Sequence, residues 1–324
     1  MDKIVISVIV LTYNHEKYLA KCLEGIYSQK TSFAYEVLIH DDASTDHTQE
    51  IILDFAEKNR NKIKTKTVFQ KTNQFSEGDY HMDEYLYPLV EGEYVAYCEG
   101  DDYWCDQNKL EKQYKEIKKR KDCTICAHKV RCINNDEKFL FFLNPKNWGE
   151  GVINGEDILR DFLHGGGWPF QTSAFLVKSE IVKNHPDFWE IFHVGDKPLL
   201  IWSLACGNLY YIDEVMSCYR LGSVGSMTQL TKGREYALDK IITNAAGFRA
   251  FDEITNHKYW DDMKHMVLYL EYQRDMVNKK KIEKIRMQEY RKELSIKERV
   301  IAALKFTVLG NIMRNLRADI KIKR

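Results

Sequence analysis

Eight consecutive residues, Ile4-Val5-Ile6-Ser7-Val8-Ile9-Val10-Leu11, constrain this chain more than any other segment. The run is near-continuously apolar, with Ser7 its one polar residue, so a strand formed by it is covered on both faces, as in a parallel sheet flanked by helices. Parallel strands need crossover connections, and the chain supplies them. Lys17 to Gln29 reads as a helix with Leu19, Cys22, Leu23 and Ile26 on one face. Tyr35 to His40 reads as a second strand, Thr48 to Asn59 as a second helix with Ile51, Ile52, Phe55 and Ala56 apolar, and Thr65 to Gln70 as a third strand. Strand and helix in alternation predict an α/β fold with a mostly parallel central sheet. Right-handed crossovers then bring the C-terminal strand ends to one edge, where ligands of such folds sit.

The residues at those ends are polar. Thr12-Tyr13-Asn14 follows the first strand and Asp41-Asp42 the second. Glu99-Gly100-Asp101-Asp102 follows a further strand read at Glu93 to Cys98. Three carboxylates within four residues repel one another and call for a counter-cation. Hard cations such as Mg²⁺ and Mn²⁺ take oxygen ligands, commonly one or two carboxylates together with substrate phosphates. A solvated acidic turn is the plain alternative. Three polar clusters meeting at one sheet edge favour a site.

The remainder is organised differently. Cys123 to Ile133, Gln171 to Val177 and Leu209 to Ile212 read as strands. Asp196 to Cys206 reads as a helix whose first turn holds Asp196 and Pro198, both suited to a helix start. From Tyr236 the pattern is helical almost to the end. His164-Gly165-Gly166-Gly167-Trp168-Pro169 is a lid-like loop or a connector, and His164 and His193 are either ligand contacts or fillers. Trp104 is expected to sit behind the acidic cluster.

With 324 residues, 44% of them hydrophobic and 30% charged, the chain can build a sizeable core. Formal net charge is zero, but residues 279–324 hold fifteen Lys or Arg against five Asp or Glu. Within 295–324, apolar residues at helical spacing among these cations read as a basic amphipathic helix. Such a helix lies on an anionic membrane or packs on the chain's own body or a second subunit. No apolar run reaches the ~20 residues of a membrane span, and the N-terminus does not read as a signal peptide. The eight cysteines are read as free thiols of a cytoplasmic protein. Cys123 and Cys126 have metal-site spacing, with Cys132 nearby. No second Cys or His pair completes a zinc set, so they are read as buried thiols.

Thr12-Tyr13-Asn14, Asp41-Asp42-Ala43-Ser44-Thr45-Asp46 and Glu99-Gly100-Asp101-Asp102-Tyr103-Trp104, in this order, resemble the family 2 glycosyltransferases of the GT-A fold. Gly195-Asp196-Lys197-Pro198-Leu199 and Tyr211-Ile212-Asp213-Glu214-Val215 with Tyr219-Arg220 resemble their acceptor-side half. The likeness covers roughly residues 4–222. It implies a GT-A domain over 1–235, with a nucleotide-sugar half (1–120) and an acceptor half (121–235), followed by a helical extension over 236–324. It also implies a metal-dependent inverting transferase that moves a hexosyl or N-acetylhexosaminyl group from a nucleotide-sugar, with a UDP-sugar favoured. The acceptor would be a glycan or lipid-linked hydroxyl, and the setting bacterial cell-surface polysaccharide assembly.

By position, the resemblance places Thr12, Tyr13, Asn14 and Asp42 at the nucleotide, Asp42 accepting from a base nitrogen. Asp101 lies toward the ribose and metal, and Arg220 at the diphosphate. Asp102, Asp101 and Glu99 face Mn²⁺ or Mg²⁺, and Asp196 is the general base. The family more often has Asp where Glu99 stands, so which of the three acids touches the metal stays open. Peripheral contact with the inner membrane face and self-association follow as expectations from the basic tail; nucleic-acid binding does not, since the tail lacks stacking aromatics. The competing readings are an inactive glycan- or nucleotide-binding scaffold and a sugar nucleotidyltransferase. The latter would need a Gly-rich phosphate loop after the first strand, and none is present.

Overall fold

The computed structural model describes residues 3–77, 82–143, 148–168, 170–192, 194–223, 234–277 and 282–304. Expectations for Pro169, His193 and the tail beyond residue 304 lie outside the described residues. The chain forms two compact units, Met1–Phe162 with Gly167–Trp189 and Val194–Gln229, and Leu163–Gly166 with Glu190–His193 and Leu230–Arg324.

The first unit begins β1 (Ile4–Thr12), α1 (Leu19–Tyr27), β2 (Ala34–Asp41), α2 (Thr48–Asn59) and β3 (Lys64–Phe69). It continues with β4 (Tyr94–Glu99), β5 (Tyr103–Trp104), α3 (Lys109–Ile117), β6 (Cys123–Ile133), β7 (Phe139–Leu143), β8 (Gly151–Ile153) and α4 (Gly155–Leu163). Then come β9 (Leu176–Lys178), α5 (Asp196–Cys206) and β10 (Asn208–Arg220). The strands form one sheet in the order β3-β2-β1-β4-β9-β6-β10-β5, with β7 on β6 and β8 on β10. β1, β2, β3 and β4 run parallel. β9 is antiparallel to both its neighbours, and β6 and β10 are parallel.

The near-continuous apolar run of β1 explains its place between β2 and β4. Ile6, Val8, Ile9 and Val10 are all fully buried. Ile6, Val8 and Val10 share a core with Leu19, Cys22, Leu23 and Ile26 of α1 and with Val37 and Ile39 of β2. Register sets the edge: Thr12 pairs with Asp41 and Leu11 with Glu99, so the three strands end together.

Two elements differ from the sequence reading. Residues 171–177 are not one strand: Thr172–Ala174 is a 3₁₀ turn, closed by Ala174 and Phe175 amides donating to the Gln171 and Thr172 carbonyls, and β9 is only Leu176–Lys178. Buried polar contacts hold that turn, Ser173 Oγ to Ser217 Oγ at 3.0 Å and Gln113 Nε2 to the Ala174 carbonyl at 2.8 Å. β10 runs well past Ile212 to Arg220, because irregular register near Val215 lets Asp213 and Glu214 face water without ending the strand. Cys123, Cys126 and Cys132 are buried free thiols of β6. Burial pushes Cys123 and Cys132 up to about 11 and Cys126 up to about 12, which keeps all three protonated.

The second unit holds α6 (Arg234–Ile254), α7 (Trp260–Val277), α8 (Lys284–Glu293) and α9 (Ile296–Leu304). Leu268, Tyr272, Tyr290, Leu294 and Ala302 form its core. Tyr290 Oη donates to Asp275 Oδ2 at 2.7 Å, and Arg249 and Arg286 both engage Glu271. His164 lies 3.5 Å from Asp262. Among the described residues, no helix is long and apolar enough to cross a membrane.

Candidate functional site

The loop after β1 and the loop after β2 are built against each other. Thr12 Oγ1 donates to Asp41 Oδ1 at 2.9 Å, and the Asp42 amide donates to the Thr12 carbonyl at 3.0 Å. Asn14 (φ 54°) and Ala43 (φ 59°) both take the left-handed conformation that side chains disfavour. The loop pairing holds them there: the Asn14 amide donates to Ser44 Oγ at 2.8 Å, and the Thr45 amide donates to Asn14 Oδ1 at 2.8 Å. Tyr13 lies between these anchored residues and is half-exposed.

Asp41, not singled out by the sequence reading, organises the corner. Its carboxylate accepts from Thr12, from the Ser44 amide and hydroxyl, and from Gln49 Nε2 at 2.7 Å. Asp42 is buried and accepts the amides of Gln74 at 2.7 Å and Phe75 at 3.0 Å. It thereby anchors the start of the short helix Gln74–Glu77. Asp46 caps α2, its Oδ1 accepting the Thr48 amide at 3.0 Å.

The acidic turn closes on the end of β1. The Gly100 amide donates to the Leu11 carbonyl at 2.8 Å. A Cβ at Gly100 would come within 2.6 Å of His15 Nδ1 and 2.9 Å of Thr12 Cγ2, so only glycine permits this approach. Behind the turn, Trp104 is buried with the Lys109 ammonium 4.1 Å above its ring. Lys109 is itself buried, and desolvation lowers it to about 7.

The three acids are treated differently by the fold. Asp101 accepts from Ser223 Oγ. Asp102 is 1% exposed; its Oδ1 accepts the Arg220 amide at 2.8 Å and its Oδ2 has no hydrogen-bond partner among the described residues. Glu99 Oε2 is likewise buried with no donor aimed at it among them, and the Glu99 and Asp102 carboxyls lie against each other. Burial, then the charges of Asp101 and Asp196, push Glu99 up to about 7. Burial and the charges of Asp101 and Glu99 drive Asp102 well above the usual carboxylate range. Asp196 opens α5, and its charge is felt at Glu99, so it belongs to the same electrostatic neighbourhood. Among the described residues no three His, Cys, Asp or Glu side chains form a ready metal cage. Two buried carboxylate oxygens without donors suit a hard cation completed by substrate phosphates.

Arg220 is turned inward. It is 3% exposed; its Nε donates to the Asp101 carbonyl at 3.0 Å, and its Nη2 to Glu137 Oε1 at 3.2 Å. Its Nη1 reaches the carbonyls of Asn134 and Asn135, both at 3.4 Å, and the guanidinium lies 4.6 Å over the Tyr18 ring. Asp213 and Glu214, the other anions near it in sequence, pair instead with Lys129 and Lys112.

The structure therefore brings Thr12, Tyr13, Asn14, Asp42, Glu99, Asp101, Asp102 and Arg220 to one sheet edge. Ser223, Asp41 and Glu137 join them without having been singled out. Only the adjacency of Asp41 to Asp42 gave a signal in the sequence.

Residues 7–176, more than half of the chain, match the family described as glycosyl transferase family 2. An uncharacterized protein of Mycobacterium tuberculosis is 34% identical over 66% of this chain, which spans 58% of that relative's length. The poly(ribitol-phosphate) β-N-acetylglucosaminyltransferase TarS of Staphylococcus aureus is 41% identical over 100 residues, 30% of this chain and 16% of TarS. The crystal structure of TarS residues 1–349 in complex with UDP-GlcNAc superposes with a TM-score of 0.54 at 17% identity, covering 93% of this chain and 80% of that one. A mannosyltransferase from Pyrobaculum calidifontis, in complex with GDP-Man and Mn²⁺, gives 0.52 at 16% identity, covering 96% and 86%. At such identities the likeness is one of fold. With the α/β sheet and its acidic edge, these matches make the chain a member of glycosyl transferase family 2, a glycosyltransferase built on the GT-A fold.

Proposed function

We propose that this glycosyltransferase moves a hexosyl or N-acetylhexosaminyl group from a UDP-sugar to a hydroxyl of a glycan or lipid-linked acceptor, with inversion, in cell-surface polysaccharide assembly. The observation that carries the reading is the pair of buried Glu99 and Asp102 carboxyls, which lie against each other beside the end of β1 with no donor on Glu99 Oε2 or Asp102 Oδ2 among the described residues. Asp102 and Glu99 would hold Mn²⁺ or Mg²⁺. When bound, such an ion offsets charge on the departing diphosphate.

The chain's own residues supply the rest. Tyr13, held between Thr12 and Asn14, would lie against the base, and Asp42, whose oxygens already accept the Gln74 and Phe75 amides, would accept from it in addition. Asp101 faces the ribose, and Arg220 fixes the acidic turn by holding the Asp101 carbonyl. Asp196 takes the proton of the acceptor hydroxyl as that oxygen bonds to the anomeric carbon and the bond to the nucleoside diphosphate breaks. A positioned carboxylate contributes roughly 10²–10⁴-fold to such a step. One displacement inverts the anomeric centre. The domain division at about residue 235 belongs to this reading, the first 120 residues serving the donor and the remainder to 235 the acceptor.

The test is a thermal-shift screen of nucleotide-sugars with and without Mn²⁺, followed by transfer assays. Stabilisation should require metal and a uridine nucleotide together. Asp196→Ala should keep that shift and lose transfer by at least about 10²-fold. Normal transfer by Asp196→Ala would remove the assignment of the base.

A further inference from the structure

The hairpin that carries Glu137 is apolar on its outside. Phe139, Leu140, Phe141 and Phe142 of β7 are 53%, 45%, 47% and 49% exposed. Phe142 pairs with Arg131 and Phe141 with Cys132, consecutive positions with no irregularity between them, so these two rings point to opposite faces of the ribbon. Phe139 joins the face of Phe142, their rings 4.7 Å apart. Both faces therefore present aromatic surface to the surroundings.

That arrangement selects among partners. At these positions β6 is covered apart from Arg131 and pairs with β10, so the surface open to a partner is that of the outer strand β7, on both its faces. The four half-exposed side chains offer on the order of 400 Å², against about 800 Å² per partner in a stable protein interface. Two cations flank the patch, together with one anion that is free-standing among the described residues: Arg131 is exposed opposite Phe142, Lys138 is exposed where β7 begins, and Asp136 is exposed in the turn. Glu137, in the turn, is already paired with Lys21 and Arg220. Aromatic side chains with neighbouring Arg and Lys are the composition of an interfacial anchor, rings at the headgroup boundary and cations at the phosphates.

We propose that β7, the outer strand of the β6–β7 hairpin, inserts the side chains of Phe139, Leu140, Phe141 and Phe142, flanked by Arg131 and Lys138, into the surface of a lipid bilayer. The same hairpin holds Arg220 and through it the acidic turn, so insertion would bring the donor site to the membrane surface. That consequence rests on the functional reading above; the membrane contact itself does not.

The test is flotation of the full chain with phosphatidylcholine vesicles, with and without phosphatidylglycerol, in ~1 M salt. The Debye length there is ~3 Å, which suppresses purely electrostatic attachment by the basic tail. Wild type should float. Phe139→Ser with Phe142→Ser should lower the floated fraction at least tenfold, while Phe139→Trp with Phe142→Trp should retain it. The serine variant should keep the wild-type melting temperature and the wild-type response to UDP-sugar. A wild type that stays in the bulk, or a serine variant that floats equally well, would overturn the proposal. A dimer in solution that the serine variant dissociates would assign the patch to a second copy. Loss of the nucleotide response with flotation intact would count against the functional reading alone.

Discussion

Arg220 shows how much one side chain can decide. A guanidinium near a diphosphate site invites assignment to the ligand, yet this one is buried and donates to the Asp101, Asn134 and Asn135 carbonyls and to Glu137. Arg220→Ala would strip several acceptors of a charged donor in a buried setting, a change of about 3 kcal/mol. In a chain of 324 residues that is roughly 4 °C in Tm, measurable by calorimetry without nucleotide. Arg220→Lys should recover little, because one ammonium cannot span acceptors that a planar fork reaches together. Were its role confined to the diphosphate, ligand-free Tm would not move and only donor affinity would fall. Its partner was not legible in the sequence. Glu137 stands 83 residues away, on a hairpin whose strand β7 is apolar on both faces and so lacks the alternation that marks an edge strand.

At the scale of elements, α1 and the strand pair β5–β10 meet at Gly25. A Cβ there would fall 2.5 Å from the Trp104 carbonyl oxygen, a backbone atom that cannot swing aside. Gly25→Ala gains about 1 kcal/mol of helix propensity and meets an overpacking cost of about 1–3 kcal/mol. The net expectation is destabilisation with a weakened response to UDP-sugar, since β5 directly follows the acidic turn. Gly149→Ala, with open space at its Cβ, is the control and should be neutral. The first half of the fold was legible because each crossover carries its own pattern: β1, α1, β2, α2 and β3 all lie within a few residues of their expected limits. Long-range support was not legible. β10 continues past Asp213 and Glu214 because β6 pairs with it to Arg220, and residues 172–174 coil because Ser217 and Gln113 hold them. For the site, the acidic turn and both loops, Asp41-Asp42 included, could be read, whereas Ser223 and Glu137 could not, since their roles depend on partners that only the folded chain brings near.

For the molecule as a whole, the acidic cluster makes stability depend on pH and on a cation together. Burial and neighbouring acids raise Glu99 to about 7 and Asp102 well above the carboxylate range. Such a group binds its proton more tightly when the chain is folded than when it is unfolded. Without metal it therefore lowers stability as pH climbs above the unfolded value near 4, and the loss is complete once pH passes the folded value. The buried histidines His15, His40 and His128 act in the opposite sense, because burial lowers them and their penalty fades as pH rises toward 6.5. The two effects oppose each other in the wild-type curve, so the informative quantity is a difference. Asp102→Asn keeps the shape and the Oδ1 acceptor for the Arg220 amide and removes the titration. In chelator, the variant should gain on wild type as pH rises above the unfolded carboxylate value near 4. On adding Mn²⁺ and UDP the order should reverse, since the ion favours the ionised carboxylate and only wild type retains it at this position. Parallel Tm curves for the two proteins across that range, with equal response to Mn²⁺ and UDP, would show that Asp102 neither strains the ligand-free fold nor receives the ion.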